Sequence, residues 1–331
     1  MRSQAILSGH YQNGFTLIEL MISLVLGLLI SAAVMQVFLT SQRVDRVQAG
    51  GSEIQDKAVF GLQAIESEVR LANLGNSGIP VDDKTAMGGI VFTAGDMSQN
   101  AVNLNTKVAL ATGYLTRSSG MSSTGNDAGR WHGYSNIAGV SSDQLTIQYT
   151  NTTEQTLHDC EGGEIAPNDR VIMRYFVVED STKTGTARKN LNLNCDAGRV
   201  QKNGDDYQIV DFGGERKGET IIQNIDQFNI RLGIQRSVTT NGNLSYEYAD
   251  MKVDDYMSLT NKPYVTNVKI AIIAKSTANS PEDSAKDFTI FGETQKLKEQ
   301  MNAPKYLRRV YETNVLLRNA RIVRVFENIN S

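Results

Sequence analysis

The chain has 331 residues, 40% of them apolar and 21% charged, with 33 Lys and Arg against 36 Asp and Glu. That length allows one large domain or two ordinary ones, and the composition excludes wholesale disorder. A formal charge of −3, with no basic stripe, argues against direct nucleic-acid binding. The first predicted element is "GFTLIELMISLVLGLLI", Gly14 to Ile30, an apolar run with one carboxylate, Glu19. From Phe15 to Leu39 a helix would span about 37 Å, enough to cross a bilayer core. The run is too long for a secretory h-region, and no small-x-small cleavage site follows it. A plain signal anchor is the simplest alternative. Basic residues do not set its orientation: Arg2 and His10 precede the span, while Arg43, Arg46 and Lys57 follow it. An acid inside a bilayer costs about 3 kcal/mol, so Glu19 calls for a partner.

The helical pattern continues past Leu39. Val47, Ile54, Ala58, Leu62, Ile65, Val69 and Ala72 recur at spacings of three, four and seven, one apolar stripe on a helix. Glu53, Gln55, Asp56, Lys57, Glu66, Glu68 and Arg70 suit a solvated face. Gly75 and Gly78 are stop signals, with Pro80 beyond them. One helix is therefore expected from Phe15 to about Leu74, roughly 90 Å long. Its first half is apolar all round and its second half amphipathic. Gly50-Gly51 is its weak point.

Beyond Pro80 the pattern changes to short strands and turns. Residues 112–140 form a Gly/Ser-rich stretch holding Trp131, which suits a surface excursion with the indole tucked beneath it. "QLTIQYT" (Gln144 to Thr150) alternates apolar and polar residues, and "RVIMRYFVVE" (Arg170 to Glu179) reads as a central strand. Asn203-Gly204 and Asn241-Gly242 are hairpin signals. "FNIRLGI" (Phe228 to Ile234), "VKIAIIA" (Val268 to Ala274) and "RRVYETNVLL" (Arg308 to Leu317) complete a mostly antiparallel sheet. The amphipathic half of the helix would cover one face of it. The expected fold class is α+β.

Chemistry-bearing clusters are sparse. Cys160 and Cys195 would form a disulfide if this part is exported, closing a loop of about 34 residues. His158 and Cys160 invite a zinc reading, but zinc takes four ligands as a rule and only His132 and Cys195 remain as plausible partners. Asp205, Asp206 and Asp211 hint at calcium without EF-hand spacing. Gly88-Gly89 and Gly213-Gly214 fit turns better than phosphate loops. No Ser-His-Asp or Cys-His signature points to catalysis, and no catalytic residue, cofactor or metal is expected.

The residues around Gly14 carry a resemblance. A leader ending in Gly14, then Phe15-Thr16-Leu17-Ile18-Glu19-Leu20 and an apolar helix, resembles the processing signal of type IV pilins and type II secretion pseudopilins. "LQAIESEVRLANLG" (Leu62 to Gly75), "NVKIAIIAKS" (Asn267 to Ser276) and "YLRRVYETNVLLRN" (Tyr306 to Asn319) are similar, in that order, to the helix end, penultimate strand and closing strand of PilW-like minor pilins. The resemblance implies cleavage by a prepilin peptidase between Gly14 and Phe15, and N-methylation of Phe15. It also implies that Glu19 neutralises the new Phe15 amine of a neighbouring subunit. The expected organisation is a leader (1–14), a membrane and assembly half-helix (15–39), an amphipathic half-helix (40–75) and an exported β-rich domain (76–331).

By the same resemblance the chain is a minor pilin in a hetero-oligomer. Its partners would be other minor pilins, the major pilin, a tip adhesin, the inner-membrane assembly platform and the prepilin peptidase. It would prime pilus assembly near the tip and support twitching motility, adhesion and DNA uptake. It would span the inner membrane once before joining the pilus tip. A J-type pseudopilin of type II secretion is the alternative, and a membrane-anchored periplasmic enzyme a remote one.

Overall fold

The computed structural model describes residues 14–76, 78–93, 103–104, 110–121, 131–180, 187–204, 206–213, 218–240, 243–280 and 286–320. The chain divides into two compact units, Met1–Ala49 and Gly50–Ser331. Helix α1 runs over Leu17–Leu71. In the first unit its apolar window is long enough to cross a membrane, and none of that window is buried. In the second unit α1 is amphipathic, and Ile54, Ala58, Leu62, Ile65 and Val69 are buried in the main core.

Among the described residues twelve strands occur in chain order: β1 Leu145–Thr150, β2 Leu157–His158, β3 Glu164–Ile165, β4 Arg170–Glu179, β5 Leu191–Asn203 and β6 Asp206–Val210. They continue with β7 Glu219–Thr240, β8 Asn243–Met251, β9 Tyr264–Lys275, β10 Asp287–Ile290, β11 Glu293–Lys296 and β12 Arg308–Leu316. A short helix α2, Val253–Ser258, lies between β8 and β9. The main sheet has eight strands in the order β1-β4-β5-β7-β9-β12, with β6 on β5 and β8 on β7. Every ladder in it is antiparallel. Strand β4 lies inside the sheet, as its near-continuous apolar run implies.

Alternation divides the sheet's side chains between two faces. Phe228, Ile230 and Leu232 of β7 and Val268, Ile270 and Ile272 of β9 join α1 in the main core. Ala271 and Ile273 point the other way, into a second cluster with Phe288, Ile290 and Leu297 of the β10–β11 region. The sheet is thus the middle layer, with α1 on one face and the hairpin and loops on the other. Gly61 marks how closely α1 approaches the sheet, since a Cβ there would overlap Ile222 Cγ1.

Three local expectations are corrected. The helix ends before Gly75: Asn73, at φ 68°, is the first left-handed residue after it. Asn73 also carries the closure. Its side-chain amide donates to the carbonyls of Asn319 (2.9 Å), Ile79 (3.1 Å) and Asn76 (3.2 Å), which glycine could not do. Glu68 is not on a solvated face. It is partly buried against the sheet, where the Tyr149 hydroxyl donates to it at 3.1 Å. The first hairpin turn is shifted by one residue. Asn203 pairs with Asp206, so the turn starts at Gly204, φ 64°, and Asp205 lies outside the described residues. Asn241 and Gly242 also lie outside them; Thr240 and Asn243, which flank them, pair across β7 and β8.

Cys160 and Cys195 are joined, with Cα atoms 6.2 Å apart, which ties the β2–β3 hairpin to β5. Both thiols are therefore unavailable to zinc. No cluster of three or more His, Cys, Asp or Glu suited to a metal occurs among the described residues. Trp131 is buried, with the Arg117 guanidinium 5.5 Å from its ring. Residues 122–130 of the Gly/Ser-rich stretch lie outside the described set.

Candidate assembly site at the helix start

The site begins with a glycine that the fold does not use. Gly14 has no positive φ, and a Cβ there would meet nothing within 4 Å among the described residues. Neither backbone strain nor close packing demands glycine at this position. Phe15 follows, 89% exposed.

Thr16 is the N-cap of α1. Its carbonyl accepts the first intrahelical bond, from Leu20 N–H at 3.2 Å. Its hydroxyl accepts from Glu19 N–H at 3.3 Å, while its own N–H donates to Glu19 Oε2 at 3.0 Å. The Thr16 hydroxyl proton goes to the same carboxylate oxygen, also at 3.0 Å. This is a reciprocal capping box, in which the N-cap and N3 side chains satisfy each other's backbone donors. Glu19 therefore has a partner within its own chain, and sequence reasoning missed it. The signal is present in the sequence as Thr-x-x-Glu, Thr16 to Glu19, just ahead of an apolar run.

Both bonds to Glu19 fall on Oε2, and Oε1 takes neither. The acid is exposed and sits in the first turn of the helix, where negative charge is favoured by the helix dipole. Removing residues 1–14 would place an ammonium at Phe15, beside the positive end of the same dipole. A carboxylate at the helix start offsets that charge, and Oε1 could meet a second amine. Gly14, Phe15 and Glu19 thus lie together at one exposed helix start. Cys160 and Cys195 belong to the globular unit, where their bond is structural.

The closing strand shows what its arginines do. Arg308 is buried and donates through Nε to Asp226 Oδ2 at 2.6 Å, with Lys275 Nζ 3.8 Å from Oδ1. Thr313 hydrogen-bonds Glu66 of α1. Asn319 reaches the helix end, its amide 3.4 Å from the carbonyls of Arg70 and Ala72. The segments quoted from the helix end and the closing strand therefore hold one another.

Residues 174–319 match the family described as type IV pilus-assembly protein W, PilW. Residues 9–35 match the prokaryotic N-terminal methylation motif. No curated protein matches the chain. Among solved structures, a type IV-like pilin from Thermus thermophilus is similar at 12% identity, over 54% of this chain and 78% of that chain, with a TM-score of 0.27.

Proposed function

We propose that this chain, PilW-like over residues 174–319 and bearing a prepilin-type start, is a minor pilin that helps prime type IV pilus assembly. The observation that carries the proposal is the helix start. A glycine without a structural duty directly precedes an apolar, unburied helix that opens on an acid. A peptidase that must fit a residue without a side chain gives that glycine a reason. Removal of the leader then creates the Phe15 amine, which is methylated.

In the bilayer that amine is costly alone and far less costly beside a carboxylate. Glu19 keeps its own helix start closed through Oε2 and offers Oε1 to the amine of an adjacent subunit. Pairing at this depth fixes the axial stagger of packed helices. The exported globular unit would face the other minor pilins, the major pilin and a tip adhesin. The platform and the peptidase act on the membrane segment. Twitching motility, adhesion and DNA uptake follow from the pilus rather than from chemistry in this chain, and we assign it no catalytic role.

The test has two arms. Protein isolated from the cell envelope should begin at N-methylated Phe15 and co-purify with other minor pilins. Deletion should remove surface pili. A chain that retains its leader in the envelope contradicts the proposal. A deletion that leaves pili intact but stops protein secretion would assign the chain to a pseudopilus instead.

A further inference from the structure

A row of polar side chains crosses the middle of the main sheet, on the face turned away from α1. Leu191 of β5, Ile225 of β7 and Ala274 of β9 pair in line and belong to the main core. Their chain neighbours Asn190, Asp226 and Lys275 therefore fall on the other face. The β7–β9 register slips between Ile225 and Gln227, so Asp226 is the extra residue of a β-bulge, a device that re-aims a side chain. The acid thus stands on the strand between an amide and an amine.

The three groups are close and enclosed. Asp226 is fully buried, Lys275 is 6% exposed and Asn190 is half-buried. Lys275 Nζ lies 3.4 Å from Asn190 Oδ1 and 3.8 Å from Asp226 Oδ1. Neighbours hold the acid and the amide in place. Asn136 Nδ2 donates to Asp226 Oδ1 and to the Lys189 carbonyl, and the Lys189 N–H donates to Asn136 Oδ1. Arg308 Nε donates to Asp226 Oδ2 at 2.6 Å. The Asn190 carbonyl accepts from the Asp180 N–H at 2.8 Å. An ion pair would need only the lysine and the acid, and here a carboxamide is set against the amine as well.

We propose that Lys275 and Asn190 join in an isopeptide bond, with Asp226 as the proton carrier. Asp226 takes a proton from the Lys275 ammonium, and the freed amine attacks Asn190 Cγ. The Nζ–Cγ bond forms as the Cγ–Nδ2 bond breaks. Of the three ammonium protons, one stays on the new amide. The other two pass through Asp226 to Nδ2, which leaves as ammonium. Atoms and charge balance, and no oxidant or cofactor is consumed. Reacting groups held in contact have effective concentrations far above those of free groups in water, which supplies the rate. The product also replaces a buried ammonium by a neutral amide and so removes a desolvation cost. The bond fastens β5 to β9 across β7, closing the middle of the sheet against tension along the chain. It lies within the globular unit and does not depend on the assembly role.

The test maps the tryptic peptides of the full chain, purified from the cell envelope, reduced and alkylated. Trypsin does not cut after a lysine whose amine is acylated. The wild type should therefore yield a branched peptide, residues 190–199 joined to residues 270–286, lighter than the two together by one ammonia. Asn190→Ala and Lys275→Arg should each abolish the branch. Asp226→Asn, shown to be folded by its thermal unfolding, should lose most of it. Unlinked peptides 190–199 and 270–275 as the main products of the wild type would overturn the proposal. So would a branched peptide lighter by one water, which places the bond on an acid, or a branch that survives Asn190→Ala. Full linkage in a folded Asp226→Asn chain would overturn the role of the acid.

Discussion

At the residue scale, Glu68 is the most informative departure from pattern. It lies in a helical position that reads as solvated, because one carboxylate among Glu66, Ser67 and Arg70 gives no hint of a partner far away in sequence. The fold brings Tyr149 to it. Burial pushes its carboxyl up to about 7, against the opposing effect of the Tyr149 hydrogen bond, and nearby Asp159 raises it further. Asp159 is itself paired with Arg199 at 2.6 Å, and Tyr175 also faces the group. A carboxyl raised in the folded state stabilises the fold while protonated. That contribution is complete below its ordinary range and is lost as pH rises through about 7. The thermal midpoint of the wild type should therefore fall relative to Glu68→Gln as pH rises from about 5 to about 8. Buried Asp143, pushed up to about 6, changes in the same direction in both proteins and cancels in the comparison. A constant difference between the two proteins across that range would show that Glu68 titrates normally.

At the scale of elements, the strands were legible where one face meets α1 and the other meets loops. β1, β4 and the central parts of β7, β9 and β12 stand close to where alternation and apolar runs place them. The region between Pro80 and β1 was not legible. Among its described residues few regular elements occur, and their backbone is held by side chains such as Gln148, whose amide donates to the carbonyls of Gly88 and Asn103 at 2.8 Å. No period in the sequence encodes such contacts. Helix α1 shows the same division between propensity and packing. Gly50→Ala should stabilise by up to about 1 kcal/mol, since the nearest atom to the new methyl is Ser276 Cβ at 3.5 Å. Gly61→Ala improves propensity equally but drives into Ile222, and should destabilise by about 1–3 kcal/mol. Urea unfolding of both variants would decide, and stabilisation by Gly61→Ala would contradict the close helix–sheet contact. Replacing Cys160 and Cys195 by alanine opens a link spanning 35 residues and should cost about 3–4 kcal/mol in the same assay. Alkylation of either thiol in unreduced envelope protein would contradict the bond.

At the scale of the whole molecule, the proposed processing site precedes a membrane-capable helix and a globular unit that α1 helps to build. Gly14→Val should leave the leader in place, because the folded chain tolerates a side chain there while the peptidase would not. The variant should run as an uncleaved precursor on gels, and normal maturation would remove the reason for the glycine. Glu19 bears the central claim, that its charge serves assembly between subunits. The capping box complicates most substitutions, since Glu19→Ala would lose both the cap and the charge. Glu19→Gln separates them, because glutamine also serves at the third position of a capping box. The decisive measurement is the number of surface pili on deletion cells that carry Glu19→Gln, compared with cells that carry the wild-type chain. The account predicts a cleaved, membrane-inserted Glu19→Gln protein and markedly fewer pili. Wild-type numbers of pili would contradict it and leave Glu19 as a cap alone.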